Sequence, residues 1–181
     1  MKRGLTAAFF GALFIAAVST LGDVMWAEVL RRPHPAWHGV THGVILFVCI
    51  GLVLGSPAGR RAAASAGAAL IGGLASVAFY LLVPFTGYAV MFPLWFAFWI
   101  ALGILYQRLN AGSIGWPAAL KTGLAAAALS GLAFYLISGI WFPFRPHGWD
   151  YLGHFFAWTF AYFPGFAAIL STRGTDRRGG L

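Results

Sequence analysis

Residues 5–22 read LTAAFFGALFIAAVSTLG, eighteen consecutive positions without a charged side chain, between Arg3 and Asp23. A bilayer's hydrocarbon core is about 30 Å thick and a helix rises about 1.5 Å per residue, so a run of this kind can span most of it. The opening Met1-Lys2-Arg3, with small residues near Ala16 to Ser19, also has the pattern of a secretory signal peptide. Apolar character continues past Ser19 through Val24, Met25 and Trp26, longer than an ordinary signal core, and the segment is read as a first transmembrane helix.

Five further windows of the same kind follow. Apolar runs bounded by Arg, Pro and Gly give expected spans near 5–28, 39–56, 62–84, 88–107, 117–140 and 150–171. Of the 181 residues, 60% are hydrophobic and only 9% charged, against about 25% charged in a soluble domain. The expectation is an all-α integral membrane protein: a six-transmembrane-helix bundle built from three helical hairpins, forming a single domain over residues 1–171. A short polar tail at 172–181 follows, and the connections leave no length for a soluble domain.

Charge placement orients these spans. Lys2, Arg3, Arg60, Arg61, Arg108, Lys121, Arg173, Arg177 and Arg178 fall on the side of the N-terminus, and Arg31, Arg32 and Arg145 on the other. Basic residues favour the cytoplasmic side, so both termini are expected there, in a cell membrane of the bacterial inner-membrane type. Trp26, Trp37, Trp141 and Trp149 then lie near the outer interface, where an indole can keep its ring in the acyl boundary and its N–H in water. The net charge of +8 is spread singly or in pairs between apolar runs, which excludes the continuous basic face that nucleic acid would need.

Odd-numbered spans carry small residues four apart: Ala8, Ala12, Ala16 and Thr20, then Ala64, Ala68, Gly72 and Ser76, then Gly123, Ala127 and Gly131. Ridges of this kind let helix backbones approach closely. The fourth and sixth spans are bulky instead, with Phe92, Trp95, Phe96 and Trp99, and with Phe155, Phe156, Trp158, Phe160 and Phe163.

An internal repeat is expected from two matching turns. Arg32, Pro33, His34, Trp37, His38 and His42 align in order with Arg145, Pro146, His147, Trp149, Asp150 and His154. All five histidines, together with Asp23, Glu28 and Asp150, gather at the expected outer face. His38 and His42, like Asp150 and His154, are four residues apart and share a helix face. Imidazole and carboxylate together suit a transition metal, and without thiolates Zn, Fe, Cu, Ni and Mn are not distinguished. The expected ligands are His38, His42, Asp150 and His154, with Asp23, Glu28, His34 and His147 as additional ligands or their supports. Arg32 and Arg145 offer planar donors to an anionic headgroup or substrate.

Three functional readings share this cluster. One is a small permease or uptake component that captures a metal cation. Another is a membrane metalloenzyme acting on a lipid or other substrate at the outer leaflet, where a metal would activate water. The third is a haem or pigment binder, or an accessory subunit of a redox complex, with His42 and His154 as axial ligands. Whether the chain is an enzyme is left open between them. The expected partners are the bilayer, the metal ion and either further copies of the chain or a larger membrane complex. Against all three stands a solvated polar rim with no ligand. Cys49, the single cysteine, excludes an intrachain disulfide, and no Walker A, His-Glu-x-x-His, Gly-x-Ser-x-Gly or Cys-x-x-Cys motif occurs.

Overall fold

Backbone amides buried in hydrocarbon have no water to bond to, so apolar segments of this length satisfy them internally by forming helices. The computed structural model describes residues 2–30, 36–110, 116–141 and 147–172, excluding the side chains of 110 and 138–141. Six long helices result: α1 (Lys2–Val24), α2 (Ala36–Gly55), α3 (Arg61–Thr86), α4 (Met91–Asn110), α5 (Trp116–Trp141) and α6 (Asp150–Leu170). A π-helical turn, Met25–Val29, extends α1. No strand occurs among the described residues.

Four stretches are long and apolar enough to cross a membrane: Lys2–Val29, Ala36–Ala58, Arg61–Leu109 and Trp116–Ile137. The third, of 49 residues, contains α3 and all of α4 but its last residue. The exterior has the matching chemistry. Phe10, Leu21, Leu74, Leu81, Phe85 and Phe160 are each at least 61% exposed, an apolar surface more extensive than a soluble monomer normally shows.

Glycine is required at two of the turns. Gly59 sits at φ 66° after the short helical turn Ser56–Ala58, and Gly87 at φ 60° between α3 and α4. A side chain at either would be strained by its own backbone.

Close approaches show how the helices pair. Gly11 on α1 lies against Val53 and Gly22 against His42, which sets α1 antiparallel to α2. Gly39 faces Tyr80 and Gly55 faces Ala64, which sets α2 antiparallel to α3. Gly103 meets Gly123 and Gly131 meets Phe96 between α4 and α5. The two ends of the chain close on each other, with Gly4 beside Leu170 and Asp23 beside His154. The small-residue ridges lie inside: Ala8, Ala12, Ala16, Ala64, Ala68 and Ala127 are fully buried.

The bulky side chains of α4 and α6 form the centre. Trp99 and Phe166 are fully buried and Trp95 is 4% exposed. Trp95 stacks on Phe134 of α5 at 4.4 Å between centroids and lies 5.4 Å from Tyr162. Ser130 of α5 donates to the Ala161 carbonyl of α6, so a hydroxyl links the two helices within this aromatic core.

Candidate functional site

Asp23 occupies the last turn of α1, immediately before the π turn. That placement gives the carboxylate a neighbour from each adjoining helix. From α6, His154 brings Nδ1 to 3.4 Å from Asp23 Oδ2; the imidazole is 7% exposed and the carboxylate 35%. From α2, the His42 ring lies directly on Gly22, where any side chain would collide with it. Both histidines stand one turn or more inside their helices, the depth at which an ionisable group needs a partner.

The remaining polar groups sort differently. His147 Nδ1 is 2.8 Å from Asp150 Oδ2, in a pair whose side chains are 83% and 40% exposed. The backbone N–H of His147 donates to the same oxygen at 3.3 Å, so Asp150 is engaged within its own turn at the start of α6. Glu28 accepts a hydrogen bond from the Tyr151 hydroxyl at 3.2 Å and ties the π turn to α6. His38 is 4% exposed, and its ring stacks on Trp26 at 4.2 Å and meets Trp37 edge-on.

Of the four expected metal ligands, the structure therefore places His42 and His154 around Asp23. It places His38 against an indole and Asp150 with His147. Among the described residues no group of three or more His, Cys, Asp or Glu side chains is arranged to hold a metal ion. His34, Arg31, Arg32 and Arg145 lie outside the described residues. Of the positions matched by the expected repeat, His42 and His154 both adjoin the end of α1 and Trp37 and Trp149 are both exposed, whereas His38 is buried and Asp150 partly exposed.

Beside Asp23 and His42 a cavity of about 310 Å³ opens between α1, α2, α3, α4 and α6. Its polar wall is formed by Ser19, Asp23, His42 and Ser76. Trp26, Phe47, Phe79, Tyr80, Trp95, Phe98, Trp158 and Tyr162 supply its aromatic lining, with the Phe47 and Phe98 rings in edge contact at 5.1 Å. Among the described residues that line this space, Asp23 is the single carboxylic acid, and no lysine or arginine joins it. A volume of this size belongs to the small end of ligand pockets, and the mixture of apolar wall with a few converging polar groups is characteristic of them.

In the sequence the cavity aromatics of α4 and α6 stand out only as bulky residues. A usable signal for them does exist in Gly39 and Gly43, four residues apart on α2, which face the Tyr80 and Ser76 hydroxyls. Chemically, the arrangement offers a carboxylate oxygen held by an imidazole, a second imidazole beside it, and aromatic rings lining the adjoining cavity. Comparison with protein-family models, curated proteins and solved structures finds no match to the chain.

Proposed function

We propose that this chain is a small multi-pass permease or uptake component that binds a solute in the cavity beside Asp23, His42 and His154. Six crossings in three hairpins, with both termini cytoplasmic and the cavity facing the extracytoplasmic side, complete the reading. Basic residues concentrated at the opposite helix ends support that orientation. The observation that carries the reading is the cavity itself: about 310 Å³, with Asp23 and His42 on its wall and aromatic rings around them. A ligand site at one end of a bundle of close-packed helices, flanked by an acid–imidazole pair, is an arrangement suited to capture and release across a membrane.

Cysteine accessibility tests this. Cys49 is the only native thiol, so a Cys49→Ala background leaves a single introduced Ser76→Cys, or Ser19→Cys as a second site, to report on the cavity. Membrane-impermeant methanethiosulfonate reagents should modify either cysteine from the extracytoplasmic side of intact cells and leave it unmodified from the cytoplasmic side in inverted vesicles. Failure of both cysteines to react from either side would remove the ligand-site reading. Reaction from the cytoplasmic side alone would reverse the orientation.

A transition metal as the transported solute is tested in parallel. It would have to draw Asp23, His42 and His154 to within about 2.0–2.2 Å of one point. Stoichiometric zinc on the purified protein, lost in His42→Ala/His154→Ala, is the outcome that would support it.

A further inference from the structure

We infer that the cavity is selective for a small organic cation, an alkylammonium group, held by the Asp23 carboxylate and the aromatic walls. The inference rests on the ligand-site reading above and adds the ligand's chemical class. Its first support is charge. Among the described residues the lining contains one carboxylate and no lysine or arginine, so the fixed charge that those residues bring to a largely apolar wall is negative. His154 Nδ1 lies 3.4 Å from the carboxylate and helps to fix its position. A cation in the cavity would complement that charge.

The walls are the second, independent support. The cavity is lined by rings from α1, α2, α3, α4 and α6. The faces of such rings carry negative potential and attract a cation within about 6 Å of the centroid, which is how aromatic cages recognise quaternary ammonium groups. Trp26 stands three residues after Asp23 and therefore on the same side of the chain, at the beginning of the π turn. A strongly hydrated inorganic cation would have to shed its water against rings that cannot replace its oxygen ligands. An alkylammonium carries its own apolar surface and matches both parts of the wall.

A charge-ranked labelling series tests the inference on Ser76→Cys in the Cys49→Ala background, with Ser19→Cys as the alternative reporter. Cationic trimethylammonium-ethyl, neutral methyl and anionic sulfonato-ethyl methanethiosulfonates are compared, each rate divided by that with a free thiol in solution. The cationic reagent should be favoured over the anionic by at least about tenfold at low salt. Asp23→Asn, which keeps a polar group beside His154, should abolish that preference, and Asp23→Glu should retain it. Tetramethylammonium chloride should protect the cysteine saturably, whereas sodium chloride at equal ionic strength should not. Tyr80→Leu should weaken that protection severalfold while leaving labelling by the neutral reagent unchanged. Equal normalised rates for the three reagents, an anionic preference, or a cationic preference that survives Asp23→Asn would overturn the inference and leave an accessible cavity of other specificity. Absence of reaction with all three reagents at both cysteines would overturn the ligand-site reading as well.

Discussion

Where α2 approaches the start of α3, Gly51 lies against the backbone of Ser65, and Gly55 against Arg61 and Ala64. At the other end of the same two helices, Gly39 faces the tip of Tyr80 and Gly43 the hydroxyl of Ser76. The same residue type thus does two jobs along one seam. Against backbone, its missing Cβ lets the helices touch. Against a side chain, it admits a hydroxyl, and the helices remain far enough apart for a cavity. The α4–α5 seam has the same contrast, with Gly103 on Gly123 in one half and Gly131 on the Phe96 ring in the other. Polar groups follow suit. At the closed end Gln107 is 4% exposed and donates to Thr172 at 2.9 Å and Thr122 at 3.3 Å, while Ser65 donates to the Val48 carbonyl at 3.1 Å. At the open end the polar atoms line space that a ligand can occupy.

Substitutions can break this contrast, and the largest effect belongs to the closed end. Gly51→Leu forces a side chain into the Ser65 backbone, which cannot turn aside; thermal unfolding in detergent should show a loss of about 3 kcal/mol or more, or no folded protein. Gly43→Ala at the open end asks the Ser76 hydroxyl to rotate and the Ser76 Cβ, 3.2 Å from the new methyl, to shift slightly, and the same measurement should change by about 1 kcal/mol or less. If the two variants were equally destabilised, the distinction between backbone and side-chain contacts would be lost. Gln107→Leu keeps the bulk and removes the donor shared by Thr122 and Thr172, the latter keeping its own bond to the Ile169 carbonyl, a loss of about 1–2 kcal/mol. The smallest effect is expected for His147→Ala. The His147–Asp150 pair is exposed at both partners, and removing it should move stability by no more than about 0.5 kcal/mol.

The helices were legible in the sequence to a degree that the site was not. Each apolar window falls within three residues of a helix at both ends, once the π turn is counted with α1. Length and the absence of charge suffice for that, because a helix is the local answer to a long apolar run. The buried ridges of Ala8, Ala12 and Ala16, and of Ala64 and Ala68, were legible too, since small residues four apart mark a helix face directly.

Pairing between helices is another matter. His42 and His154 were both identified, yet Asp23, assigned a supporting place, lies between them, and Asp150 turns back to His147. Spacing along one helix shows which residues share its face. It does not show the rotation of that face about the helix axis. A helix that is apolar nearly all round, as α4 is, has no polar stripe to indicate that rotation. Trp95 and Trp99 were accordingly visible as bulky residues, while their burial beside Tyr162 and Phe166 was not.

The π turn at Met25–Val29, closed by the Leu30 N–H on the Met25 carbonyl at 2.9 Å, has a consequence for how the chain tolerates insertions and deletions. A π turn is an α-helix holding one residue more than its geometry accommodates. Deleting a residue between 25 and 29 would let α1 return to regular winding, leaving Asp23 where it is and swinging every later residue by about 100°. Glu28 would then lose the Tyr151 hydroxyl. Residue count in this one turn, as much as residue type, sets the geometry of the cavity's rim.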